Sequence, residues 1–241
     1  MLYVLTALKC EAAALTGLPG QVVVTGVGDR CIPALGKIKL APQDRVLNIG
    51  CCAGKMPGLY LASCIENLST GKRYYPDIRS DSVLPEMKLV TSSSVVTEVR
   101  DALLYDMEAA LICEWALKTI PPSNISVLKA VSDDGTKMPS ANDITQLLRD
   151  HLPEIEETAK QLADEPARQD YEAYPEGLAD ELKLSQYMRN ELASLWHYSA
   201  VSGRSNDMEA LLDNMRSEGR IPVKDKKAGK EILDEIYAYL R

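Results

Sequence analysis

Four short apolar runs do most to limit what this chain can fold into. They are Leu2 to Ala7, Gln21 to Thr25, Arg45 to Ile49 and Ile125 to Val131. Each has strand length and reads as a buried strand rather than a half-exposed one. Three of them run directly into turn residues: Gly26-Val27-Gly28, Gly50-Cys51-Cys52-Ala53-Gly54 and Ser132-Asp133-Asp134-Gly135. Between them lie segments with helical character. Lys9 to Leu15 is one, Asp29 to Leu40 another, with Pro33 tolerated near its start, and Asn142 to Leu152 a third. Two more strands are expected at Leu59 to Ile65 and Lys88 to Ser92, and the turn-rich stretch Asn67 to Ser82 suggests a hairpin or a flap over the sheet edge. Strands alternating with helices predict a three-layer α/β core with a mixed sheet over residues 1–150.

Beyond Pro153 the pattern changes. Glu154 to Glu181 is strongly acidic and reads as a solvated helix or linker. Leu184 to Tyr198 is an amphipathic helix, Ser205-Asn206-Asp207 caps a helix through Met215 with Gly219 after its end, and Lys226 to Leu240 is a last helix. Residues 151–241 are thus expected to form a helical C-terminal region. Its lysines 224, 226, 227 and 230 make a local basic patch that reads as solvent-exposed surface.

Hydrophobic residues make up 46% of the chain, enough for a core built without any Phe. The net charge of −8 argues against a broad nucleic-acid surface. None of the six cysteines forms a CxxC pair and the two histidines lie far off in sequence, so no metal site is expected. The apolar start, Met1 to Leu8, lacks a basic flank and reads as a first strand, and no run reaches membrane-spanning length. A cytoplasmic protein with reduced thiols and no membrane association is the expectation.

The stretch Tyr105-Asp106-Met107-Glu108-Ala109-Ala110, continuing to Leu117, is rich in good helix formers and reads as a helix beginning at Tyr105. Acid-Met-Glu-Ala-Ala at a helix start, followed by a strand ending in Ser132-Asp133, resembles the nucleoside phosphorylase and purine nucleosidase superfamily, in particular the 5'-methylthioadenosine/S-adenosylhomocysteine nucleosidases. Ala7-Leu8-Lys9-Cys10-Glu11, the Gly26-Val27-Gly28 turn and the Gly50 to Gly58 segment followed by a strand extend the resemblance over about residues 1–150, in family order. It implies cleavage of the N-glycosidic bond of an adenosine-type nucleoside, by water in preference to phosphate, without a cofactor. It further implies that Asp133 protonates the purine, that partial burial would help keep its carboxyl protonated, and that Glu11 activates the water. Glu108 would accept bonds from the ribose hydroxyls and Met107 would pack on the sugar. Ser132, Cys51, Cys52, Ala53 and Val95 would complete the substrate pocket. A homodimer is expected from the same resemblance.

The chain departs from that family in three places. Cys51 stands where the hydrolases often carry Ser, and a thiol is the poorer hydrogen-bond partner. The aromatic that stacks on the base near Val95 is missing, as is a longer insertion before the preceding strand. Arg30 and Lys55 are the cations nearest the Gly turns, and neither matches a phosphorylase motif. Two other function classes remain. Val46 to Gly54 also looks like the first motif of S-adenosylmethionine methyltransferases, with Glu66 as the ribose-binding acid, although Cys52 replaces the middle Gly and Pro57-Gly58 would break the helix that must follow. A catalytically silent core carrying an interaction module is the other. The dinucleotide fingerprint fails, since its third Gly would fall at Cys31.

Overall fold

Each apolar run is a strand. A computed structural model describes residues 1–76, 83–164 and 174–240, in which β1 is Leu2–Thr6, β2 Gln21–Val24, β3 Arg45–Ala53 and β4 Leu59–Asn67. β5 (Arg73–Tyr74), β6 (Glu86–Thr91), β7 (Leu103–Asp106) and β8 (Ile125–Asp133) complete an eight-stranded sheet among the described residues. The expected hairpin holds at β5, which pairs antiparallel with β4; residues 77–82 of that stretch lie outside the described ones.

The sheet is mixed. β3 pairs in parallel with β1 and β8, and antiparallel with β7 only where Ala53 faces Tyr105. β7 pairs in parallel with β6, β6 with β4, and β4 returns antiparallel to β8. These pairings close β3, β8, β4, β6 and β7 into a ring, which places the C-terminal ends of β3, β7 and β8 around one opening. Gly54 leads through a turn into β4 with no intervening helix, so the helix that must follow the first motif of a methyltransferase is not formed here.

Side chains alternate across the sheet, as a two-residue period requires. Leu5, Val46, Leu104 and Val127 pack on helices α2 (Cys31–Leu35) and α3 (Ala109–Ala116). Val4, Leu47, Ile49 and Leu128 face the other way, against α1 (Lys9–Ala14), α4 (Ala141–Asp150) and α5 (Leu152–Asp164). Three layers result. α5 supplies Ile155, Ala159 and Leu162 to this core, so the acidic stretch after Pro153 begins as a half-buried helix of the α/β part rather than as a solvated linker. The chain divides into two compact units, Met1–Glu165 and Pro166–Arg241.

Two elements differ from expectation. The helix after Gly28 is one short turn of 3-10 helix, Gly28–Arg30, and then α2 alone, not a helix to Leu40. Gly36 is a poor helix former, and beyond it Ile38 and Leu40 leave the helical path to pack on the core. Tyr105 and Asp106 belong to β7, paired with Val90 and Thr91, and helix begins only at Ala109. Strand pairing overrides the helix propensity of the Asp-Met-Glu-Ala-Ala stretch.

The second unit contains α6 (Leu178–Glu181), α7 (Gln186–Val201), α8 (Ser205–Ser217) and α9 (Lys226–Leu240) around Leu182, Leu192, Trp196, Leu212 and Ile236. Ser205 is already helical, with Arg204 as the flanking residue; the Arg204 guanidinium bonds Asp207 and the carbonyls of Tyr239 and Leu240. Lys224, Lys226, Lys227 and Lys230 are exposed. Among the described residues no helix is long and apolar enough to cross a membrane.

Gly229 sits inside α9, where Ala would ordinarily stabilise by about 0.5–1 kcal/mol. A Cβ there would run into the backbone carbonyl oxygen of Leu182, which cannot swing away as a side chain would. Gly229→Ala is therefore expected to destabilise the helical unit. A lower urea midpoint, followed by circular dichroism, checks it; a raised midpoint would show that the Leu182 backbone yields.

Candidate active site

The ends of four strands supply the residues of one cavity of about 210 Å³. After β1 come Ala7 and Leu8 and then Glu11 in the first turn of α1; β3 ends in Gly50 to Ala53; β7 ends at Asp106, followed by Met107 and Glu108; β8 ends in Ser132-Asp133. All nine residues expected from the sequence line this cavity: Asp133, Glu11, Glu108, Met107, Ser132, Cys51, Cys52, Ala53 and Val95. They come together although they span most of the α/β unit, because strand ends that share one edge of a sheet converge there.

Glu11 is held entirely by backbone donors. Its Oε2 accepts from the N–H groups of Ala7 and Leu8 at 2.9 and 2.8 Å, and Oε1 from that of Cys51 at 2.9 Å. This approach needs Gly50, since a Cβ at that position would lie 2.7 Å from Oε1. The Gly-rich end of β3 thus seats a buried carboxylate against the sheet.

Glu108 is seated in the same way. The bend between β7 and α3 turns its side chain so that Oε1 accepts from the Gly28 N–H at 2.6 Å, and Met107 lies over the same turn, its Cε 3.6 Å from where a Gly28 Cβ would be. Oε2 takes no hydrogen bond from a described residue, which leaves it for a ligand. Burial is the main influence on Glu108 and holds its carboxyl above the ordinary glutamate range; Lys129 opposes that, while Asp106 adds to it.

Lys129 and Asp106 form an ion pair of 2.8 Å with side chains only 2% and 1% exposed. Asp106 is fully engaged: Thr91 Oγ1 donates to Oδ1 at 2.6 Å, and the Ala109 N–H to Oδ2 at 2.9 Å, which caps α3. Burial alone would lower the Lys129 ammonium, but Asp106 and then Glu108 override it and keep it above its ordinary value. Lys129 and Asp106 line the cavity and were not among the sequence-derived candidates. A lysine inside an otherwise apolar central strand was the available signal, because a buried charge requires a buried partner.

Asp133 accepts at both oxygens, from Ser132 Oγ at 2.8 Å and from the Gly135 N–H at 2.9 Å. Asp134 is exposed and bonds Thr136 instead. Burial is the first cause that pushes the Cys51 thiol up, to about 12, with Glu11 adding to it, and burial likewise raises Cys52, so both are neutral thiols. Val95 is exposed at the rim, where it lies with Val96 and Met138, and Tyr105 lines the same cavity as an aromatic residue. Lys55 pairs with Asp101, Glu66 with Lys88 and Arg73, and neither these nor Arg30 line the cavity. Among the described residues no group of His, Cys, Asp and Glu is arranged to hold a metal ion.

No family model and no curated protein matches the chain. Solved structures do. A variant MTAN from Chlamydia trachomatis superposes with a TM-score of 0.51 at 18% identity, covering 65% of this chain and 97% of the other. The MTAN from Chlamydia trachomatis bound to adenine gives 0.51 at 19% identity over the same shares. The α/β unit has the MTAN fold. Nearly the whole of that nucleosidase fold is present, and about a third of this chain falls outside the likeness.

The raised Glu108 carboxyl has a consequence for stability. Folding takes up a proton between the unfolded and the folded pKa of this group, so its contribution is lost as pH rises through that window. Glu108→Gln, which keeps an acceptor for Gly28, is therefore expected to be more stable than the parent at about pH 7, with the advantage closing below about pH 4. Urea midpoints of both proteins across that range check it; a difference independent of pH would contradict the burial argument.

Proposed function

We propose that this chain hydrolyses the N-glycosidic bond of an adenosine-type nucleoside. The observation that carries the proposal is the convergence of Glu11, Met107-Glu108 and Ser132-Asp133 on one cavity of an MTAN fold. The adenine bound to the Chlamydia trachomatis protein supports a purine as the leaving group.

Breaking the bond makes the sugar an oxocarbenium-like cation and the base an anion. Asp133 delivers a proton to a ring nitrogen of the departing base. The Ser132 hydroxyl beside it donates to the carboxylate and accepts from the protonated acid, so it serves both states. Glu108 accepts from the sugar hydroxyls through Oε2, and its charge favours the cationic transition state. Met107 packs on the sugar face. Glu11, fixed by three backbone N–H groups, orients the attacking water and takes its proton. Cys51, Cys52 and Ala53 form the wall through which that water is held, and Val95 lies at the rim beside the base.

Water is favoured over phosphate by charge. The cavity is lined by four carboxylates, Glu11, Asp106, Glu108 and Asp133, and by one cation, Lys129, which Asp106 already engages. Among the described residues that line it, a phosphate dianion would meet a net negative site whose one cation already carries a carboxylate partner. By resemblance the enzyme is cytoplasmic and a homodimer, with a small nucleoside as its partner.

The direct test is incubation with a panel of adenosine derivatives, with and without phosphate, reading released base and sugar product by mass spectrometry. Free sugar in both arms is expected; a 1-phosphorylated sugar would overturn the choice of water, and no cleavage of any member would overturn the activity. Asp133→Asn is expected to fold normally and to lower turnover of a purine nucleoside about 10²-fold or more. An activated aryl riboside, whose leaving group needs no proton, should be largely spared. Asp134→Asn should behave as the parent. Full purine activity in Asp133→Asn would remove this residue from the role of acid.

A further inference from the structure

Lys129 is the one cation that lines the cavity among the described residues, and its ammonium is paired with Asp106. Asp106 lies two residues before Glu108 on the same bend. It would hold its place without Lys129, through Thr91 Oγ1 and the Ala109 N–H. The question is what the buried charge is for. Around Glu108 stand Asp106 from β7, Lys129 from β8, Glu11 from α1, the Gly28 N–H, and Cys31 at the start of α2. Cys31 is a neutral buried thiol, raised to about 11 by burial first and then by Glu108. Among the described residues Lys129 is the one positive charge acting on Glu108, against the acids Asp106 and Glu11, while Glu108 needs its negative charge to accept from two neighbouring hydroxyls; a protonated carboxyl would spend one oxygen as a donor.

We propose that Lys129 is a positioning residue: paired with Asp106, it cancels the nearest repelling carboxylate and keeps Glu108 an anionic acceptor for the sugar hydroxyls. The inference rests on the proposed nucleosidase activity for its kinetic consequence, not for its electrostatic one. The two partners then act on Glu108 with opposite sign. Removing the lysine leaves Asp106 and Glu108 as adjacent buried carboxylates, so Glu108 takes up a proton more readily. Removing the Asp106 charge frees Lys129 to act on Glu108 alone, so Glu108 gives its proton up more readily.

Three variants test this: Lys129→Met, Asp106→Asn, and Lys129→Arg, which keeps the charge. The kinetic readout is the acid limb of kcat/KM against pH on the cleaved nucleoside. Lys129→Met should move that limb up by at least about one pH unit, Asp106→Asn should move it down, and Lys129→Arg should leave it near the parent's. KM should carry more of the neutral-pH loss than kcat, since binding of the sugar is what fails. A readout without turnover separates this from the activity itself. The stability gained by Glu108→Gln at about pH 7 should be larger in the Lys129→Met background than in the parent, and smaller in the Asp106→Asn background. If Lys129→Met does not fold, the Asp106→Asn arm alone retains the sign test. Equal loss at every pH with an unmoved acid limb, or a Glu108→Gln gain that is the same in all backgrounds, would overturn the proposal. Absence of nucleoside cleavage in the parent, with the stability differences as expected, would overturn the activity and leave this inference standing.

Discussion

The buried Asp106 carboxylate, with the Lys129 ammonium as its counter-charge, is the group around which the cavity is arranged. Both charges are out of water, and such a pair is stable only if its remaining donors and acceptors are engaged. Here Asp106 takes Thr91 of β6 and the Ala109 N–H of α3, while the Ala110 N–H bonds the same threonine hydroxyl. One buried pair therefore joins β6, β7, β8 and the start of α3. Losing one partner of such a pair costs about 3–5 kcal/mol, because the other charge stays buried and alone. The bend that carries Met107 and Glu108 lies between the Asp106 carboxylate and the helix it caps, so its geometry follows from the same network.

Backbone amides complete the arrangement. Glu11 is held by three N–H groups and Glu108 by one, and in both cases a glycine lies at the contact. Gly50 permits Glu11 to sit against β3, and Gly28, at φ +60, presents its N–H to Glu108. Donors that belong to strands and turns do not reorient when a ligand binds. That is the condition under which a site stabilises developing charge without reorganising.

The strand pattern was legible because each of β1, β2, β3 and β8 is a short apolar run bounded by turn residues, and their order carried the α/β architecture. The candidate residues were legible through the family resemblance; Glu11, Cys51 to Ala53 and Ser132-Asp133 lie at or just after the ends of those runs, whereas Met107-Glu108 follow β7 and Val95 follows β6. Less legible was the boundary between strand and helix at Asp106. Local propensity favours helix throughout that stretch, and what decides otherwise is pairing with β6, a contact that comes from elsewhere in the chain. The end of the helix after Gly28 is hidden in the sequence, because Ile38 and Leu40 serve the core from an irregular path beyond Gly36. Lys129 is a lone charge inside an apolar run, and its partner Asp106 is visible only once that residue is placed on a strand beside it. Packing of Ile155, Ala159 and Leu162 was likewise hidden under the acidic residues that alternate with them on α5.

The charge balance of the cavity bears on which chemistry it suits. Four carboxylates and one engaged ammonium make an environment hostile to anions and favourable to a cation that forms within it. The oxocarbenium-like sugar of the proposed reaction is such a cation. Ground-state nucleosides carry no charge at the sugar, so the field acts on the transition state more than on the substrate, which is the difference that accelerates a reaction. The apolar rim of Val95, Val96 and Met138 does the opposite job. It carries no charge, and Tyr105, which packs with Val96, lines the same cavity, so the neutral base of the proposed substrate would meet apolar and aromatic contact there rather than charge.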